Sequence, residues 1–427
     1  MIRKLFIFYL LLLYGGLAEA QNKSVLLMNG TAHLGNGTVI ENSVIGIKDG
    51  MIVLVADAQT IRLKSLAFDT IIQIAGRQVY PGLIAPNSTL GLTEIEAVRA
   101  MNDFAEVGFI IPNVRTLIAY NTDSKLIPTL RFNGVLIAQA TPRYGMLSGT
   151  SSIFELDGWN WEDALLKADD GVHLNFPEFP VERAPGDTSL HERKINYDKQ
   201  KLELKKFFLD AKAYNEEEKH EEKNIRFEAM RGVFDGTKKL FIHVDYAKDI
   251  NLAVNFIQEQ AVKNPVLVGA EDAWRLTSLL KENNIPLMLG RVHSLPLRAD
   301  EDIDMPFRLP SVLQKAGILF CLQNEGDMAT MNARNLPFLA GSAAAYGLTK
   351  EEALQAITLN AAKILGIDKK VGSLEEGKEA TLFVSSGDAL DMKTNNMEWV
   401  FIRGKKIDRD NEQRALYMKY KSKYKLN

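Results

Sequence analysis

Four short apolar runs, Leu240 to Val244, Pro265 to Val268, Pro286 to Leu289 and Ile318 to Leu322, recur in the second half of the chain with helix-length amphipathic segments between them. Runs of this length bounded by turn formers read as strands buried on both faces. Strands that alternate with helices pair in parallel, because each connection must cross back over the sheet. Right-handed crossovers repeated this often favour a closed barrel over an open sheet. The expected class is therefore α/β, with a TIM-type (β/α)8 barrel at its centre.

The first half of the barrel is harder to count. Val135 to Ala140 and Ser152 to Leu156 read as strands, whereas Asp123 to Arg131 has helical apolar spacing broken by Pro128. Ser148-Gly-Thr-Ser-Ser152 reads as a small-residue loop near a barrel mouth. Ahead of the barrel, Ser24 to Met28, Ser43 to Ile47, Met51 to Val55 and Thr70 to Ile74 alternate with Asn-Gly and Asp-Gly turn signals, which marks a small β module. Thr349 and Glu352 form a capping box before the last barrel helices, and Gly366 is a helix stop. Thr381 to Val384 and Trp399 to Ile402 then return to β structure and are expected to complete the module in a sandwich built from both chain ends.

The resulting organisation is a removable leader at 1–20, a β-sandwich from 21–80 and 368–410, a barrel over 81–367, and a basic tail at 411–427. A helical insertion that includes His173, His191 and His220 is expected at about 157–238, with a Pro-rich loop from Phe176 to Pro185 ahead of a highly charged stretch from Glu192 to Arg231. The leader is read from Arg3 and Lys4, the apolar run Leu5 to Leu13, and Ala18-Glu19-Ala20 at the cleavage positions, so an exported chain should begin at Gln21 and fractionate as soluble.

Composition narrows the partners. Lys and Arg number 51 against 54 Asp and Glu, for a net charge of -3, and the basic residues are scattered, so nucleic acid is not an expected partner. The only cysteine, Cys321, cannot form an internal disulfide and is expected in the core.

Two segments carry a family resemblance: Val79-Tyr-Pro-Gly-Leu-Ile84, and the stretch from Gly347-Leu-Thr-Lys-Glu-Glu-Ala353 through Thr358-Leu-Asn-Ala-Ala-Lys-Ile-Leu-Gly366 to Val371-Gly-Ser-Leu-Glu-Glu-Gly-Lys-Glu-Ala380. Both resemble the amidohydrolase superfamily in its imidazolonepropionase-like branch. The resemblance implies hydrolysis of amide, cyclic amide or related C–N bonds in small molecules, with one or two divalent metals at the carboxyl ends of the strands.

The chain departs from that pattern where the metal would sit. The family's first strand ends in Asp-x-His-x-His, and this chain places Asn87 and Thr89 at the two histidine positions. An amide or alcohol oxygen is a poor substitute for neutral imidazole at a zinc site. The sixth-strand histidine falls at Gly269-Ala270, and the last-strand aspartate region reads Gln323-Asn324-Glu325-Gly326-Asp327. His243 alone matches a family ligand, with His293 a second weak metal candidate. Asp245, Glu325 and Asp327 are the catalytic candidates, and Asn87, Thr89 and Arg291 the substrate-binding ones. The expected cofactor is none, or one weakly bound divalent metal, zinc if any. Two functions follow: a C–N hydrolase with a degenerate metal site and weak or lost activity, or a non-catalytic exported binding or partner protein on the same barrel. The expected partner is accordingly a small amide-type ligand or another protein, with homo- or hetero-oligomers open.

Overall fold

The computed structural model describes residues 24–61, 68–182, 187–217, 219–326, 328–408 and 410–425. The expected leader at 1–20 and the catalytic candidate Asp327 lie outside the described residues. Among the described residues no helix is long and apolar enough to cross a membrane.

Two eight-stranded sheets organise the described residues. The first contains β1 (Val25–His33), β2 (Val39–Lys48), β3 (Met51–Asp57), β4 (Thr70–Gln73) and β5 (Gln78–Pro81) from the N-terminal side. The second is the barrel: β6 (Leu83–Ser88), β7 (Val135–Ala140), β8 (Leu147–Glu155), β9 (Leu165–Asn175), β10 (Lys239–Val244), β11 (Pro265–Gly269), β12 (Leu287–Leu289) and β13 (Phe320–Leu322), paired in that sequence order. The C-terminal strands β14 (Leu382–Ser385), β15 (Met397–Ile402) and β16 (Lys405–Lys406) rejoin the first sheet. There β14 runs antiparallel to β5, with Leu382 opposite Pro81 and Val384 opposite Val79. Leu27, Ile45, Ile52, Val79, Leu382, Val384 and Phe401 fill one buried cluster, so both chain ends share a core, as expected.

The barrel departs from eight equal βα units in one place. β8 is antiparallel to both neighbours, whereas the other pairings in the sheet are parallel. The reason is connection length: residues 141–146 between β7 and β8 are too few for a parallel crossover, which needs a dozen or more. The Ser148–Ser152 stretch, expected to be a loop, is the buried middle of β8. Small residues suit it because Gly149 passes close to the Val114 carbonyl, where a Cβ would meet that oxygen at 2.7 Å.

The charged segment also divides differently from expectation. Leu165–Asn175 is barrel strand β9, so His173 lies inside the barrel and not in an insertion. The helical part begins at the long helix Leu190–Glu216 and continues in Ile225–Asp235. These two helices bury Leu204, Phe207, Phe208, Met230 and Val233 and leave their charges facing solvent.

Inside the barrel, Ile84, Ile137, Ile153, Phe241, Val266, Val268, Met288 and the buried Cys321 form an apolar plug closed below by Ile364 and Leu365. This plug positions the site, because the next inward-facing residue on each strand is two positions further along.

The β-sandwich is fastened to the barrel by His33. Its Nδ1 lies 2.6 Å from Glu351 Oε1 and its Nε2 lies 2.9 Å from Gln78 Oε1, while the ring stacks on Tyr80. Two acceptors, one at each ring nitrogen, suit the imidazolium. Burial lowers the His33 pKa, but hydrogen bonds to Glu351 and Gln78 and the charges of Glu351 and Asp388 outweigh it and leave the group raised. A raised histidine contributes stability that is complete below its unfolded value of 6.5 and is lost as pH rises through its folded value. Glu351→Gln should therefore destabilise the protein by about 1 kcal/mol near pH 5.5 and by much less near pH 9, a contrast measurable from melting temperatures across that range. An equal loss at both ends of the range would show that His33 is not charged in the fold.

Candidate functional site

Strand alternation sets a polar layer directly on the apolar plug. Two residues on from Ile137, Gln139 faces inward; Ser151 does so two residues from Ile153, and His243 two residues from Phe241. His173 sits opposite Phe241 in the β9–β10 register and stacks on its ring at 4.6 Å between centroids. Gly171 makes room for that ring, since a Cβ there would meet Phe241 at 2.4 Å.

Above the layer lies a cavity of about 550 Å³, lined by Asn87, Thr89, Arg143, Asn175, His243 and Glu325 among others. It opens where β6, β7, β9 and β10 end, the face on which barrels of this kind carry their chemistry.

Asn87 is the hub of this cavity. Its backbone is left-handed, with φ of 49°, a conformation Asn tolerates better than most residues. Its N–H donates to Gln139 Oε1 at 2.9 Å, and its amide nitrogen donates to Gln323 Oε1 at 2.5 Å. Arg143 grips the other side, with Nη1 donating to Asn87 Oδ1 at 2.6 Å and Nη2 to the Asn87 carbonyl at 2.7 Å. Burial lowers the Arg143 pKa to about 10, with Glu325 foremost among the charges that oppose the shift, so the guanidinium remains cationic at neutral pH. Thr89 spends its hydroxyl on that of Thr330.

Glu325 faces the same space and is pushed up to about 7, by burial and by the charges of Asp245 and Glu271, against the pull of Arg143 and Gln323. Asp245, raised to about 6 by burial, lies behind it and keeps one oxygen, Oδ1, without a hydrogen-bond partner among the described residues. His243 is held to about 3 by burial and by the Arg143 charge, so its ring is neutral.

The remaining candidates lie elsewhere. Arg291 directs Nε at the Glu325 carbonyl at 3.0 Å and lines a separate, smaller pocket with Glu271 and Val292; it holds the Glu325 backbone in place. His293 bonds Ser342 Oγ at 2.6 Å and packs on Phe307. The fold thus brings Asn87, Thr89, His243 and Glu325 together, with Asp245 adjacent, and leaves Arg291 and His293 outside. Sequence reasoning missed Arg143, Gln139, Ser151, Asp170 and His173. An alternating pattern in Gly171-Val-His173-Leu-Asn175 marks the strand that carries His173, but Lys167, Asp169 and Asp170 just before it resemble the charged stretch that follows.

The divalent ion implied by the family resemblance does not fit these residues as a tightly held group. At the first-strand positions the Asn87 amide presents N–H groups to Gln323, and its oxygen is taken by a guanidinium. A dication there would sit beside the Arg143 charge, and the first-strand positions themselves offer it only amide and alcohol oxygens. Among the described residues no three His, Cys, Asp or Glu side chains converge as ligands.

Comparison with known proteins places these features in context. Residues 212–407 match the model of the amidohydrolase family. The chain is 63% identical over 35 residues to an imidazolonepropionase from Shewanella frigidimarina, 8% of either chain. It is 30% identical over 112 residues to an imidazolonepropionase from Flavobacterium psychrophilum, which covers 25% of this chain and 27% of the other. The matched segments thus span 27% or less of the length of these curated relatives. Among solved structures, an amidohydrolase from Thermotoga maritima superposes with a TM-score of 0.77 at 24% identity, over 90% of this chain and 100% of that one, a likeness of fold.

Proposed function

Taking as premise that the chain belongs to the amidohydrolase superfamily, in its imidazolonepropionase-like branch, we propose that its barrel mouth receives a small molecule with an amide-type C–N bond and does so without a tightly held metal, leaving hydrolysis slow or lost. Members of the family typically hold divalent metals. The observation that carries the proposal is the Arg143–Asn87 pair, which sets a fixed organic cation beside the first-strand ligand positions. A guanidinium can bind and polarise a carbonyl, but it does not generate a hydroxide nucleophile as a metal does. Arg143 donates toward the ligand carbonyl, His243 and Asn175 supply polar groups across the cavity, and Phe104 and Tyr144 supply apolar surface. The leader pattern of residues 1–20 supports action outside the cytoplasm.

A purely binding role is favoured by the same pair, and turnover separates the two readings. Calorimetry with hydantoin, 2-pyrrolidinone and a glycyl dipeptide should detect binding of at least one of them, and Arg143→Met should weaken it by about tenfold or more, as expected for losing a hydrogen bond from a charged donor. No binding heat for any of the three, or unchanged affinity in Arg143→Met, would rule the proposal out.

A further inference from the structure

Beneath the cavity floor the polar layer continues as a single file of hydrogen bonds. His243 Nε2 lies 3.0 Å from His173 Nδ1, His173 Nε2 lies 2.9 Å from Ser151 Oγ, and Ser151 Oγ donates to Asp170 Oδ1 at 2.7 Å. Gln139 Nε2 braces the far end, donating to Asp170 Oδ2 at 2.8 Å and reaching Ser151 Oγ at 3.2 Å. Asp170, Ser151, His173 and Gln139 are all fully buried, so solvent does not compete for these bonds.

From these contacts we infer that the four side chains form a one-way relay, which fixes His243 as a hydrogen-bond acceptor toward the cavity and gives a proton taken there a route to Asp170. The polarity follows from counting donors. Gln139 Oε1 is occupied by the Asn87 N–H, so its NH₂ must point at Asp170 and Ser151. An ionised Asp170 only accepts, and at 2.7 Å it takes the single Ser151 hydrogen in preference to the Gly171 carbonyl at 3.2 Å; with either acceptor the hydrogen points away from His173. Ser151 Oγ can then only accept from His173, which must carry its proton on Nε2. His173 Nδ1 is left as a lone pair and accepts from His243, which must also carry its proton on Nε2. The His243 Nδ1 lone pair, which has no partner among the described residues, is what remains for a ligand.

Surrounding charges agree with these states. Burial first, and with it the Arg143 charge, hold both His173 and His243 well below the usual histidine range, so both rings are neutral. Asp170 is pushed up to about 6 by burial, opposed by bonds from Ser151 and Gln139 and by the charges of Lys167 and Lys239, which leaves it mainly ionised at neutral pH. Phe241 covers the face of His173.

A proton arriving at His243 Nδ1 is passed on through the file by three short transfers. His243 passes its Nε2 proton to His173 Nδ1, His173 passes its own Nε2 proton to Ser151 Oγ, and Ser151 passes its hydrogen to Asp170. The net change is one proton lost from the ligand and one carboxylate converted to carboxylic acid. His173, Ser151 and Asp170 are positioning residues in this arrangement, since His243 alone meets the cavity. The relay goes beyond the amide-binding proposal and stands whether or not that proposal holds, because its test needs no ligand.

The test is the tautomer of each ring, read from two-bond proton–nitrogen correlations in the ¹⁵N-labelled full chain at neutral pH, with His173→Gln and His243→Gln for assignment. The wild type should show Nε2–H on both rings. Asp170→Asn should bring Nδ1–H forms into both rings. Gln139 turns the new amide oxygen toward itself and the new NH₂ toward Ser151, whose hydrogen is then divided between His173 Nε2 and the Gly171 carbonyl 3.2 Å away, so the uniform Nε2–H state is lost. A merely structural role for Asp170 predicts no change of tautomer. Should Asp170→Asn fail to fold, Ser151→Ala takes its place and should leave mixed tautomers at both rings. Nδ1–H on His243 in the wild type, or unchanged tautomers in a folded Asp170→Asn, would overturn the relay.

Discussion

Ending the chain after Ala380 should unfold the N-terminal β module and not merely shorten the protein. β14 is an interior strand of its sheet, with β5 on one side and β15 on the other. The cut removes Leu382, Phe383, Val384, Met397, Val400, Phe401 and Ile402, all buried. At roughly 1.5–3 kcal/mol for each apolar side chain withdrawn from water, the lost burial is on the order of 10 kcal/mol, comparable to the whole stability of a typical domain. It also bares the backbone edge of β5, which invites aggregation. The expected product is insoluble, or soluble without a cooperative melting transition. A shorter cut after Ile407 is the control, because the helix Glu412–Lys423 buries none of its residues, and that protein should melt within a few degrees of the full chain. Native-like melting of the longer truncation would show that the two chain ends do not stabilise each other.

Zinc- or manganese-supplemented protein should carry well under one equivalent of metal after buffer exchange, measured by elemental analysis. Arg143 already occupies the acceptor groups of Asn87, and a divalent ion brought beside it would meet like charge in a partly desolvated cavity. Asn87→His with Thr89→His should not restore full binding, because Gln323 and the Gly269-Ala270 step still stand at two further ligand positions and the guanidinium is still present. His243→Ala should leave the metal content of the wild type unchanged. Stoichiometric metal together with chelator-sensitive turnover would show that the cavity is a working metal site and that Arg143 moves aside to admit it.

The architecture was legible in the sequence wherever strands were apolar on both faces. β10 to β13 were located from their apolar runs alone, and Thr349 with Glu352 forms the anticipated capping box. β8 was located only in its second half, from Ser152, and β9 not at all, because their inward faces are polar: Ser151 and His173 sit where a core strand ordinarily shows Val or Ile, and a run that mixes serines, aspartates and glycines resembles a loop. The reversal of β8 was hidden for the same reason. Of the site, the family resemblance located Asn87, Thr89, His243 and Glu325, whose positions follow from strand ends. Arg143 was invisible to it, because an arginine three residues after a strand has no periodic or spacing signature, and its partner Asn87 lies 56 residues away.

The pairing of β5 with β14 also sets an order of events in folding. Val79 and Val384 are neighbours in space but on the order of 300 residues apart along the chain, a separation that makes their contact among the last to form. The strands synthesised first must therefore wait for those synthesised last, while the barrel between them can assemble from more local contacts. Until β14 arrives, the apolar faces of β1 and β5 stay open to any holdase that recognises unpaired strands, and a chain in that condition is still threadable through a narrow pore.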